Sequence, residues 1–137
     1  MSETFDPKGR LVVIRVVLTG PTGTHVFRFG LDTGSTRTAV AGHVLELLGY
    51  SEPPEGERRT ARTGSGATRV GSVPVARVQA LGQVRTALPV LWLPLDPAVM
   101  IDGLLGLDFF RGLVLALDFA RGRITLRAPG PRWRFWR

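Results

Sequence analysis

Cysteine is missing from this chain, and lysine is represented once, by Lys8. The lack of thiols excludes disulfide bridges, thiolate nucleophiles and cysteine-based metal sites, and leaves the redox compartment open. No apolar run reaches the roughly 20 residues that a membrane-spanning helix needs. Met1 to Arg10 is polar, with Glu3, Asp6 and Pro7, and lacks the three-part pattern of a secretory signal, so the expected address is the cytoplasm. Histidine is sparse. His25 and His43 fall on an expected strand and an expected helix without neighbours of ligand type, which suits surface or core roles and not a metal or acid–base role.

What is present suits one soluble domain. A chain of 137 residues can bury a single core and is too short for two full-sized domains. Seventeen Gly and 10 Pro beside 44% hydrophobic residues point to a fold rich in strands and turns. The formal charge of +7 comes almost wholly from arginine. These arginines are scattered, with local concentration only at Arg58, Arg59 and Arg62 and in the last six residues, so they read as a solvated surface and a nucleic-acid partner is not favoured.

Strand patterns dominate. Arg10 to Leu18 is β-branched and apolar, Thr19 to Gly23 is a turn, and His25 to Phe29 returns with period-two alternation. This hairpin delivers Asp32 at the end of its second strand. Thr38 to Val40 extends briefly before a short helix over Ala41 to Gly49, whose apolar face is Val44, Leu45, Leu47 and Leu48 and whose C-cap is Gly49. A second hairpin spans Arg58 to Arg69 with a glycine-rich tip at Thr63-Gly64-Ser65-Gly66-Ala67. Strands follow at Val73 to Leu81 and Val84 to Leu93 around a turn at Gly82-Gln83, and Pro74 and Pro89 argue for edge positions or irregularities there. Leu113 to Phe119 and Arg123 to Arg127 form a closing hairpin.

Two stretches carry chemistry. In Asp32-Thr33-Gly34-Ser35, Gly34 permits a sharp turn that lets the carboxylate leave the sheet, and the hydroxyls of Thr33 and Ser35 can hydrogen-bond a carboxylate or the backbone. The bland reading is an ordinary hairpin loop, since all four residues are common in turns. Ser35 as a nucleophile lacks a His–acid pair. In Leu104-Leu105-Gly106, two aliphatics precede a glycine that removes a side chain where a buried strand must pass close to another loop. The tip at Gly64-Ser65-Gly66 has little to bury and reads as mobile; it lacks the Lys-Ser/Thr ending and following helix of a phosphate-cradling loop.

Taken in order from Leu11 to Leu126, these pieces resemble the retropepsin-like, single-domain branch of the aspartic proteases. The resemblance implies an all-β closed barrel with one or two short helices, spanning residues 10–128 between a polar lead (1–9) and a basic aromatic tail (129–137). It implies Asp32 as the catalytic acid, with Thr33 hydrogen-bonding across a dyad, Gly34 presenting its N–H to the carboxylate, and Ser35 stabilising the ionised form. Leu104, Leu105 and Gly106 would support the catalytic turn from beneath, and Thr63, Gly64, Ser65, Gly66 and Ala67 would form a flap over an extended peptide.

That chemistry needs two close carboxylates sharing one proton. The chain holds a single Asp-Thr-Gly, and Asp102 and Asp108 belong to the supporting segment, so a homodimer with a two-fold axis between Asp32 and its copy is expected. No metal or organic cofactor is then required. Two departures stand out. Viral members typically place an arginine after the glycine of the second motif, where this chain has Leu107, and their termini often interleave, whereas this chain continues through an extra hairpin. Two rivals follow: a catalytically weak or inactive peptide-binding or interaction module on the same fold, and a basic β-barrel binding single-stranded nucleic acid through Trp133, Phe135 and Trp136. Contact of that tail with a membrane is conceivable but has no further support.

Overall fold

Three residues of the polar lead, Ser2–Thr4, form a strand (β1) that no alternation announced. In a computed structural model of the chain, which describes residues 1–63 and 66–130, it is followed by β2 (Val13–Gly20), β3 (Gly23–Leu31), β4 (Ala39–Ala41), the helix α1 (Gly42–Leu47) and a 3-10 turn at Glu55–Glu57. Next come β5 (Arg59–Thr63), β6 (Gly66–Val70), β7 (Ser72–Ala80), β8 (Gln83–Leu93), β9 (Gly103–Leu105), the helix α2 (Leu107–Phe110), β10 (Val114–Asp118) and β11 (Arg123–Arg127). Strands β2-β3-β9-β4-β8-β7 close into a barrel, β5 and β6 pair as a separate hairpin, and β1-β11-β10 form a small sheet. This is the expected closed all-β barrel with two short helices. No described helix is long and apolar enough to cross a membrane.

Period-two alternation builds the barrel wall. Along β2 and β3 the residues Ile14, Val16, Leu18, Phe27 and Phe29 turn inward, while Arg15 and Arg28, directly opposite one another, face out. Each fully buried Leu, Ile or Phe contributes about 2 kcal/mol from the apolar surface it removes from water. Ile124 and Leu126 from the small sheet, with Phe5 just past β1, join the same core as Phe29, Leu105 and Phe109.

The turns follow from backbone chemistry. Ala80 pairs with Gln83 across Leu81-Gly82, whose φ angles of 51° and 78° make the two-residue turn that matches strand twist, one position before the expected Gly82-Gln83. Pro74 and Pro89 are paired with each other on exposed backbone, where β7 meets only β8 on one side and β8 has not yet reached β4. Nearby, Ala87 has φ 51°, and the Ala76 N–H donates to the Tyr50 hydroxyl at 2.9 Å, an irregularity of the kind the prolines predict.

The helix α1 is shorter than expected and its C-cap is Leu48, one position before Gly49, whose N–H donates to the Glu46 carbonyl and whose φ is 95°. Its apolar face needs one correction, because Leu47 is 55% exposed while Val44, Leu45 and Leu48 are buried. At the far end, the hairpin loop between β10 and β11 is held by Asp118. The Arg121 N–H donates to its Oδ1 at 2.9 Å and the Arg121 guanidinium to its Oδ2 at 3.0 Å, and these bonds keep its carboxyl below the usual aspartate range.

Candidate active site

The turn that carries Asp32 starts where β3 runs out. Leu31 is the last residue paired with β9, opposite Leu105, and the Asp32 N–H then donates to the Leu105 carbonyl at 3.0 Å. The chain reverses there: the Ser35 N–H reaches the Asp32 carbonyl at 3.2 Å, and the Gly34 N–H donates to Asp32 Oδ1 at 3.1 Å. The half-buried carboxylate is thus held over its own turn by a backbone donor. Thr33 is exposed beside it, and its side chain makes no hydrogen bond among the described residues. Ser35 departs from expectation. Its hydroxyl donates to the Arg37 carbonyl at 2.8 Å, two residues on, so it braces the loop and does not support the charge on Asp32.

Beneath the turn runs β9, parallel to β3 and antiparallel to β4. A Cβ on Gly106 would lie 2.6 Å from the Arg37 carbonyl carbon and 3.0 Å from the Ser35 oxygen, both backbone atoms. Only glycine fits so close a crossing. Past it, the Leu107 N–H donates to the Ser35 carbonyl at 2.9 Å and the Asp108 N–H to the Thr36 carbonyl at 3.2 Å.

A buried knot completes the support. Thr38 is fully buried; its hydroxyl donates to Asp108 Oδ1 at 2.7 Å, its N–H lies 3.0 Å from both Asp108 oxygens, and its Oγ1 accepts the Gly106 N–H at 3.1 Å. Sequence reasoning assigned Asp108 to the supporting segment but found neither Thr38 nor the bond between them. The only signal was an acid two residues after Gly106, and the partners stand 70 positions apart. Arg85 was also missed. Its half-buried guanidinium donates to the carbonyls of Phe109 (3.0 and 2.8 Å) and Arg111 (2.6 Å), capping the C-terminal end of α2, and lies 5.9 Å from the Phe109 ring centroid.

Asp32 opens into a cleft of about 540 Å³. Gly34, Ser35 and Leu104 line it together with Ala61, Gly66 and Ala67 of the β5–β6 hairpin and with Leu91, Leu93 and Leu95. Leu105 lies fully buried behind. Of the expected flap residues, Thr63 and Gly66 are paired across the hairpin and Ala67 faces Arg62 in register, while Gly64 and Ser65 lie outside the described residues.

The hairpin is anchored at its foot by arginines. Arg58 pairs with Glu52 at 3.2 Å and Glu55 at 2.9 Å and donates to the Pro53 carbonyl at 3.1 Å. Arg69 reaches Glu55 at 3.3 Å and the Arg58 carbonyl at 3.0 Å. Singly such exposed pairs are weak, but here several converge on one strand origin beside buried Val70. Among the described residues no group of three or more acidic or imidazole side chains is placed to hold a metal ion.

Comparison with known proteins places this geometry. A family model described as aspartyl protease matches residues 15–109. Among solved structures, the chain is similar to a retropepsin-like aspartic protease from Rickettsia conorii, at 16% identity and a TM-score of 0.65, over 93% of this chain and 89% of that one. It also matches a Legionella pneumophila protein of unknown function at 18% identity and a TM-score of 0.44, over 72% of this chain and 82% of the other. No curated protein matches significantly.

Proposed function

The chain belongs to the aspartyl protease family, and on that premise we propose that it is an endopeptidase whose catalytic water sits between Asp32 and the Asp32 of a second copy. The carrying observation is the Asp32 carboxylate, half-buried in a cleft that residues of the β5–β6 hairpin also line. A single chain supplies one such carboxylate, and the chemistry needs two. Around a two-fold axis the pair shares one proton: the ionised partner takes a proton from water, and the protonated one gives its proton to the scissile carbonyl oxygen. Peptide binds as an extended strand between the turn and the hairpin, with Val70, Leu91, Leu93 and Leu104 receiving apolar side chains.

Thr33, exposed next to the carboxylate, is positioned to meet its copy, and Gly34 orients Oδ1. Because two neighbouring carboxylates cannot both ionise cheaply, activity follows a bell-shaped pH profile on the acidic side of neutrality that reports the pair. The test is Asp32→Asn in an assay of peptide cleavage, with thermal unfolding and sedimentation as controls. Cleavage should fall about a thousand-fold or more while fold and assembly persist. Cleavage at the parental rate overturns the reading. Tight binding of a statyl peptide by a parental protein that cuts nothing would instead establish a peptide-binding module.

A further inference from the structure

A cation without a counter-ion stands at one end of the cleft. Arg37 is half-buried, and its Nη2 donates to the Ser72 hydroxyl at 2.7 Å and to the Pro89 carbonyl at 3.3 Å. Both acceptors are neutral. Among the described residues neither Nη1 nor Nε of Arg37 has an acceptor, and no acid pairs with the guanidinium. The arginines at the foot of the hairpin differ, since Arg58 and Arg69 are neutralised by Glu52 and Glu55. Asp108, the acid of the supporting knot, is bonded to Thr38.

The place of this charge follows from the rows of residues around it. Ser35 and Ala39, two positions to either side, both line the cleft, while Thr38 between them is turned into the core. Ala39 pairs with Leu91, another cleft residue, and Pro89 lies two positions before Leu91 on the same face of β8. Ser72 follows Val70, which also lines the cleft, by two positions. The guanidinium therefore borders the cleft where these rows run on past it. Among the described residues Asp32 is the one charged group in the lining itself. A peptide that leaves the apolar lining on this side meets a positive charge.

We propose that Arg37 is a specificity-determining residue that binds an Asp or Glu side chain of the peptide, so that the preferred substrate carries an acid beside its apolar residues. A carboxylate accepting from Nη1 or Nε makes a charge-assisted hydrogen bond, roughly twice as strong as a neutral one. Partial burial reduces the screening of that pair by salt. Ser72 and Pro89 already hold the guanidinium, so little side-chain freedom is lost when the acid arrives. The formal charge of +7 draws acidic segments toward the molecule in the first place. The inference rests on the proposed peptide site; the sign of the charge that the site reads rests on Arg37.

The probes are statyl peptides, alike except that each residue flanking the statine is in turn Glu, Gln or Lys. Their binding is measured by titration calorimetry, and cleavage of the matching peptides is followed in parallel. At one flanking position the parental protein should prefer Glu over Gln by about tenfold, the factor expected of one hydrogen bond to a charged group, with Lys the poorest. Arg37→Gln should level Glu and Gln there, and Arg37→Glu should make Lys the preferred residue at the same position. Thermal unfolding checks that both variants fold; a merely structural role for Arg37 would weaken all three peptides by one factor. Equal parental affinity for Glu and Gln at every position overturns the site, as does a Glu preference of equal size at all positions, which net charge alone would give. A Glu preference that survives in Arg37→Gln overturns it too. Selective binding without cleavage removes proteolysis and keeps the acidic subsite, cleavage without the preference does the reverse, and neither binding nor cleavage removes both.

Discussion

Replacing Thr38 by valine removes one oxygen and almost no volume, which isolates the buried knot behind the Asp32 turn. The hydroxyl donates to a carboxylate at 2.7 Å and accepts the Gly106 N–H at 3.1 Å, in a side chain with no solvent exposure. A hydrogen bond to a charged group contributes about 1.5–3 kcal/mol, and leaving a buried N–H unpaired costs about 1–3 kcal/mol. The two overlap, because Thr38 N–H still reaches Asp108, so Thr38→Val should cost about 3 kcal/mol. For a domain of this size that lowers Tm by about 10 °C. Thr38→Ser keeps both hydrogen bonds and loses a methyl group, at about 1 kcal/mol. Scanning calorimetry of both variants, with reversibility checked, gives the ranking. If the valine variant is as stable as the serine variant, apolar packing holds this position and the hydrogen-bond account is wrong.

Two further outcomes follow from the same geometry. Gly106→Ala puts a methyl carbon 2.6 Å from backbone that cannot rotate away, so it should destabilise by about 3 kcal/mol or more and reduce peptide cleavage with it. For Asp118 the folded-state carboxyl titrates below its unfolded value, chiefly through the Arg121 N–H and then its guanidinium. The stability it adds is present above the ordinary aspartate range and is lost as pH falls below it. Urea unfolding of the parent and Asp118→Asn should therefore differ near neutrality and converge in acid; a constant difference across pH would contradict the linkage.

How far the sequence speaks depends on the span of the interaction. The Asp32 turn, the Gly106 crossing and the β5–β6 hairpin were legible because short runs of alternation and glycine placement encode them locally. The strand β1 was not, since three residues cannot display a period and its partner β11 lies at the other end of the chain. The same distance hid Thr38–Asp108 and the Arg85 cap, whose acceptors are main-chain carbonyls that any residue carries. Leu47 was assigned to the wrong face because a helix of six residues is too short for its pattern to choose one. Ser35 was misassigned for a finer reason: a hydroxyl beside a carboxylate and a carbonyl can serve either, and only the loop's shape selects Arg37.

The wedging of β9 between β3 and β4 has a temporal meaning. The two strands that flank it are made early, yet the stave that joins them, and the Leu105 carbonyl that receives the Asp32 N–H, come from the last third of the chain. A polypeptide still emerging from the ribosome, with Leu105 not yet released, has an open wall and an untethered acid turn. The Asp32 turn therefore gains its β9 support only once the last third of the chain has been made.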